Sequence, residues 1–390
     1  MKTNNEIGLF GFGTVGKGFY HYVSTSKQEN RIPSIVTKGD DGGDAIIQRN
    51  EVGTVVELIN NENDALQIVT DALEHGKMVV SANKKLIAEN LKHLLETEKK
   101  HDSKFLYEGA VCGSIPIIRI LNDFYGEEPI QEIKGIFNGS SNHILTQLFG
   151  SDTSYESALQ RAQELGFAEK DPISDVGGFD ALYKLIIITA HGFGTIVNPS
   201  DVLNIGIESV SKEDVDFAKD HRFKIKQVAK VSSENGKISL SVAPTLVDSE
   251  SELYTTDEEY NGVLIESENV GKQFYKGKGA GSFPTGSVVY SDLKALDSGY
   301  QYSYRKAEQI IPELDQNERI SVLVRTEGSA DLPQGFNKVT YIEKGLYLAV
   351  TTLSDLALNK DNLKSNGLSV IFIDNNNITK QLLNYASAIN

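Results

Sequence analysis

Apolar residues in the first third of the chain fall into short runs that alternate with stretches of helical spacing. Residues 7–10 form a run of strand length, and 17–23 follow as a short helix. Residues 31–37 and 55–59 are the next strand-length runs. Residues 63–75 put Ala65, Leu66, Ile68, Val69, Ala72 and Leu73 on one side of a helix. Gly76-Lys77 ends it, and Met78-Val79-Val80 opens another strand. Residues 86–100 are helical by the period of Leu86, Leu91, Leu94 and Leu95, and 104–107 return as a strand. Strand and helix in alternation predict an α/β, doubly wound parallel sheet.

The pattern then loosens. Residues 131–137 read as a strand feeding a glycine turn, 142–149 as a helix, and 155–165 as a second helix ended by Gly166. An X-Pro turn at Pro172 and the pair Gly177-Gly178 predict a loop up to Phe179. The run Leu185-Ile186-Ile187-Ile188-Thr189-Ala190 predicts a buried helix after it. Strands are expected at 223–231, 238–244 and 262–269, giving an α+β region over 131–274, and 290–304 reads as a helix. From about 310 the alternation becomes that of a sheet: 320–325, 338–342, 346–350 and 368–373, with a closing helix at 378–388.

Composition narrows the partners. The chain has 390 residues, of which 39% are hydrophobic and 24% charged, values of a soluble globular protein with room for two or three domains. A formal charge of −16 argues against nucleic acid. The single Cys112 excludes an internal disulfide framework and suits a reducing compartment. The first residues lack the apolar segment of a signal peptide, and no apolar run approaches about 18 residues, so neither export nor a membrane is expected.

Candidate chemistry sits at a few places. Gly11-Phe12-Gly13-Thr14-Val15-Gly16 is G-x-G-x-x-G between a strand and a helix. Gly11 permits the tight turn, Gly13 the approach of a pyrophosphate and Gly16 close helix packing, while the helix N-terminus favours negative charge. After the second strand, Lys38 lies beside Asp40, Asp41 and Asp44. A base favours NADP and an acid NAD, so the choice stays open. Ser81-Ala82-Asn83-Lys84-Lys85 follows a strand's carboxyl end, where α/β folds bind ligands, and an ammonium there can reach a nicotinamide or a carboxylate. It also suits an N-cap serine with loop lysines. Glu108 to Pro116 is a loop of small residues beside one carboxylate, of a kind that can hold a hard monovalent cation through oxygens. The densest cluster is 166–184, with Glu169, Asp171, Asp175, Asp180 and Lys184. Asp180 and Lys184 share one helix face, acid before base. A lysine heading into an apolar core beside a carboxylate is suited to acid–base work. A surface ion pair is the plainer reading of two such residues.

Taken together, Gly11 to Gly16, Val79 to Lys84, Tyr107 to Pro116, Gly135 to Asn142, the stretch through Lys184, and Gly279-Ala280-Gly281 with Pro284-Thr285 resemble the homoserine dehydrogenase family over about 7–296. The resemblance implies a Rossmann-type nucleotide-binding domain at 1–115, completed by about 279–305. It implies an α+β substrate-binding and dimerisation domain at 116–278, and a small C-terminal α/β appendage at 310–390 of regulatory or purely structural use. It implies a cytoplasmic, NADP- or NAD-dependent enzyme, a homodimer or dimer of dimers, interconverting L-homoserine and L-aspartate 4-semialdehyde. In that frame Gly11, Phe12, Gly13, Thr14, Val15, Gly16 and Gly281 bind the cofactor, and Ser81 and Lys84 lie by its nicotinamide, Lys84 also near the substrate. Glu108 with the backbone oxygens of Val111, Gly113 and Ile115 forms a sodium site. Glu169 and Asp180 bind the substrate amino group, Asp175 supports the catalytic lysine, and Lys184 is the acid/base. The double glycine Gly177-Gly178 departs from many members and predicts a looser substrate loop. The alternatives are another aldehyde reductase on the same fold and a non-catalytic nucleotide sensor.

Overall fold

The computed structural model describes residues 6–37, 42–150, 153–168, 171–326, 332–343 and 345–389. The chain divides into two compact units. One comprises 1–129, 186–199 and 277–311, the other 130–185, 200–276 and 312–390.

The first unit is built on a five-stranded sheet of β1 (Glu6–Phe10), β2 (Ser34–Val36), β3 (Val52–Glu57), β4 (Met78–Ser81) and β5 (Lys104–Leu106). Its order is β2-β1-β3-β4-β5, with every neighbouring pair parallel. Ile7, Leu9, Val55, Val56, Val79 and Val80 are buried, as apolar strands covered on both faces must be. The order reverses between β1 and β3, the switch point at which open sheets of this kind bind ligands. The helix Thr14–Thr25 leaves β1 directly through the glycine turn. The helix predicted at 290–304 runs instead from Ser282 to Asp297. Pro284 is tolerated in its first turn, and Gly299, at φ +84°, follows the end. Ser282 Oγ donates to the Thr14 carbonyl at 2.7 Å, tying the two helices at their starts.

The second unit holds an 11-stranded mixed sheet: β6 (Ile130–Ile136), β7 (Leu203–Asn204), β8 (Lys224–Glu234), β9 (Lys237–Val247), β10 (Tyr260–Ser267), β11 (Gly271–Lys278), β12 (Glu313–Leu314), β13 (Arg319–Arg325), β14 (Asn337–Glu343), β15 (Leu346–Thr352) and β16 (Ser369–Ile373). The main path runs β11-β10-β6-β8-β9-β16-β13-β15-β14, with β7 and β12 also on β9. Residues 312–390 therefore differ from the separate appendage expected of them. β16 pairs in parallel with β9, Phe372 opposite Thr245. Leu323, Ile342, Leu348, Ile371 and Leu382 share one buried cluster with Ile144, Leu145 and Val176. The helix Leu353–Ser365, between β15 and β16, was not read from the sequence. Nor was Lys212–Asp220, although Ser211 and Asp214 form a full capping box at its start.

Candidate active site

The glycine turn follows from sterics. Gly11 has φ +96°, and a Cβ there would come within 2.3 Å of the Leu58 carbonyl oxygen. A Cβ on Gly13 would meet nothing within 4 Å, so that glycine leaves open room at the helix N-terminus, which is what a pyrophosphate needs. Phe12, Thr14, Val15 and Gly16 complete the turn and the first helical residues. Gly281, at φ +126°, stands immediately before the helix Ser282–Asp297. Of the charges after β2, Lys38, Asp40 and Asp41 lie outside the described residues.

Ser81 ends β4 opposite Glu57, the last residue of β3. Its hydroxyl donates to Glu57 Oε2 at 2.6 Å, and the Ile59 N–H donates to Glu57 Oε1 at 2.7 Å. Burial pushes the Glu57 carboxyl up to about 7. Ser81 is not the helix cap: Asn83 Oδ1 accepts from the Leu86 N–H at 3.1 Å, and Lys84 is the first residue of the helix Lys84–His101, half-buried. Lys85 instead pairs with Glu62 at 2.6 Å.

Glu108 is buried in a short 3-10 turn. Its two carboxyl oxygens accept the N–H groups of Ile118 at 2.8 Å and Arg119 at 2.9 Å. Asp292 accepts the Glu108 N–H at 2.9 Å and is also paired with the Arg119 guanidinium. Burial, then the nearby Asp292, pushes Glu108 up to about 8, and burial pushes Asp292 up to about 6 despite Arg119. Two buried carboxyls thus share one guanidinium. Val111 and Gly113 lie in the following loop, and the Ile115 carbonyl accepts from the Ile117 N–H at 2.8 Å.

The second unit gathers the rest. The helix Phe179–Phe193 starts at the double glycine. Gly177 and Gly178 are buried, not loose: Gly178 has φ +81°, and a Cβ on it would lie 2.3 Å from Asn204 Oδ1 and 2.9 Å from Gln227 Nε2. Asn204 Nδ2 donates to the Gly177 carbonyl at 2.8 Å, fixing the turn from β7. One turn into the helix, Lys184 Nζ donates to Asp180 Oδ2 at 2.6 Å and to the Phe137 carbonyl at 2.8 Å. Lys184 is 8% exposed and Asp180 3%, which removes the surface ion pair as a description. Asp175, in the short helix Ile173–Val176, accepts from Asn138 Nδ2 at 2.7 Å. Asn138 Nδ2 also donates to Asp180 Oδ2 at 2.9 Å, and Asn261 Nδ2 donates to the Phe137 carbonyl at 3.1 Å.

Asp175, Asp180 and Lys184 are therefore brought together, while Glu169 lies outside the described residues. Asn138 and Asn261 complete the cluster and had no role in the sequence reading. For Asn138 the signal was present, a capping residue between a strand and Gly139-Ser140-Ser141. A buried ammonium held by a carboxylate and a carbonyl can give and take a proton with little reorganisation.

Residues 41–108 match the family model for the NAD-binding domain of homoserine dehydrogenase, and 116–293 that for homoserine dehydrogenase. The homoserine dehydrogenase of Bacillus subtilis is 33% identical over 338 residues, covering 80% of this chain and 77% of its own. That of Helicobacter pylori is 30% identical, covering 98% and 95%. Among solved structures, a homoserine dehydrogenase from Thiobacillus denitrificans superposes with a TM-score of 0.80 at 25% identity, covering 95% of this chain and 98% of that one. The Staphylococcus aureus homoserine dehydrogenase at pH 6.0 gives 0.71 at 27% identity with the same coverage. Kinship of this extent shows the family: the chain belongs to the homoserine dehydrogenase family of NAD(P)-dependent oxidoreductases acting on a CH–OH group.

Proposed function

We propose that Lys184 is the acid–base group through which this chain interconverts L-homoserine and L-aspartate 4-semialdehyde. The observation that carries the reading is the buried pairing of its ammonium with Asp180 and the Phe137 carbonyl. The nicotinamide, when bound, accepts or donates the hydride. Lys184 takes the hydroxyl proton of homoserine in one direction and returns it to the aldehyde oxygen in the other. Asp180 and Asp175 hold that ammonium in register, and Asp180 with Glu169 grips the substrate amino group, fixing a near-attack geometry. Gly11 to Gly16 and Gly281 hold the dinucleotide, with Ser81 and Lys84 by its reactive ring. Both NAD and NADP remain within the proposal.

A sodium ion at Glu108, with the carbonyl oxygens of Val111, Gly113 and Ile115, suits the surplus of buried carboxyls over guanidinium there. A homodimer in the cytoplasm completes the reading. Among the described residues no helix is long and apolar enough to cross a membrane.

Initial rates with L-homoserine, measured with NAD+ and NADP+ in turn, test the activity. Turnover with homoserine and not with other short hydroxy amino acids is expected, and its absence with both cofactors overturns the reading. Replacing sodium by caesium should lower thermal stability, and indifference to the cation removes that site from the proposal.

A further inference from the structure

Asn138 stands between β6 and the helix Gly139–Gly150, 4% exposed. Its side-chain oxygen accepts the Ser141 N–H at 2.7 Å. That bond settles the amide's orientation, because only the oxygen can accept, so the NH2 group must face the other way. Its two N–H bonds then go to two different carboxylates, Asp175 Oδ1 at 2.7 Å and Asp180 Oδ2 at 2.9 Å. The second of these is the oxygen that receives the Lys184 ammonium at 2.6 Å.

We infer that Asn138 is a positioning residue for the proton transfer, a neutral clamp that spans Asp175 and Asp180 and so aims the carboxylate that holds Lys184. The inference rests on the reading of Lys184 as the acid–base group. Two carboxylates that converge on a single amide group repel one another, and the donor pair placed between them relieves this without adding charge. The preceding residue joins in, since the Phe137 carbonyl accepts from both Lys184 Nζ and Asn261 Nδ2. An ammonium has three N–H bonds. Among the described residues, two are directed by Asp180 and by residue 137, and their directions fix the third, which the inference assigns to the substrate oxygen. The main chain and side chain of residues 137–138 thus set the lysine from two sides.

The competing description is that Asn138 merely caps a helix. Aspartate caps as well as asparagine, is the same size and cannot donate when ionised, so Asn138→Asp separates the two. The full chain is assayed with L-homoserine and saturating dinucleotide. For a clamp, kcat falls about 100-fold, as expected of a misplaced catalytic group, while dinucleotide Kd is unchanged. The limb of the kcat profile that rises with pH moves to higher pH, because an added carboxylate favours the charged lysine. For a cap alone, kcat and the pH profile match wild type, and that result overturns the inference. Asn138→Ser, which also caps but offers a single hydroxyl, serves as the second variant. A fall in its kcat at unchanged dinucleotide Kd supports the clamp even if the aspartate variant does not fold, and an unchanged kcat overturns it. Lys184→Ala is run alongside. If it retains full turnover, the reading of Lys184 fails and takes the clamp with it. If it is inactive while both Asn138 variants are normal, only the clamp fails.

Discussion

Asp180 and Lys184 stand one helical turn apart and meet at 2.6 Å inside the second unit, both all but closed to solvent. A buried pair of this kind is strongly destabilised when one partner is removed. Lys184→Ala should therefore cost stability as well as lowering homoserine oxidation by 10²- to 10⁴-fold, the usual contribution of a positioned acid–base group. Dinucleotide affinity, read by nucleotide fluorescence, should stay near wild type. Lys184→Arg should not rescue turnover, because a guanidinium does not release its proton at working pH.

The two outer members of the glycine turn's first triplet should respond differently. Gly13→Ala leaves folding stability within about 0.5 kcal/mol, since its methyl group meets nothing within 4 Å, yet it occupies room needed by a pyrophosphate. A loss of about tenfold in dinucleotide Kd, or roughly 1.4 kcal/mol, is expected by titration. Gly11→Ala, whose methyl would press on the Leu58 carbonyl, should lower the urea midpoint before cofactor is added.

Gly178→Ala should destabilise the protein by about 1–3 kcal/mol through its left-handed backbone alone, with the clash against Asn204 and Gln227 adding to that. Urea unfolding measures the stability. Because the displaced turn opens the helix that carries Lys184, kcat should fall as well.

Glu57 gives a pH dependence of defined sign. Burial raises its carboxyl from 4.5 to about 7 in the folded protein, so between those values the folded state holds more protons than the unfolded. The stabilisation is complete below pH 4.5 and is lost as pH rises through 7, by a few kcal/mol, on the order of 3. Glu57→Gln should flatten thermal stability between pH 5 and 8, and an unchanged slope refutes the assignment.

What the sequence disclosed was whatever is local. The glycine turn was legible because its spacing is a backbone requirement, and the Asp180–Lys184 pair because four residues make one helical turn. Asn138 was legible at most as a helix cap, and its link to Asp175 and Asp180 was not, since those acids lie 37 and 42 positions away. The Ser81–Glu57 bond depends on register between β3 and β4, and Glu108 meets Asp292 across 184 residues. The helix Leu353–Ser365 escaped because only Leu353, Leu356 and Leu363 of it are buried, too few to mark a periodic face. The looseness inferred from Gly177-Gly178 was wrong for a physical reason: the missing side chains are filled by neighbours rather than by solvent.

The parallel seam between β9 and β16 has a consequence for engineering. Cutting the gene after Ile311 would not release a dispensable tail. It would strip β9 of β12 and β16, leave unpaired peptide groups along a long apolar strand, and uncover the residues that back the helix Gly139–Gly150. Bare strand rims of that kind recruit one another, so the shortened product would gather into insoluble material rather than persist as a deregulated enzyme.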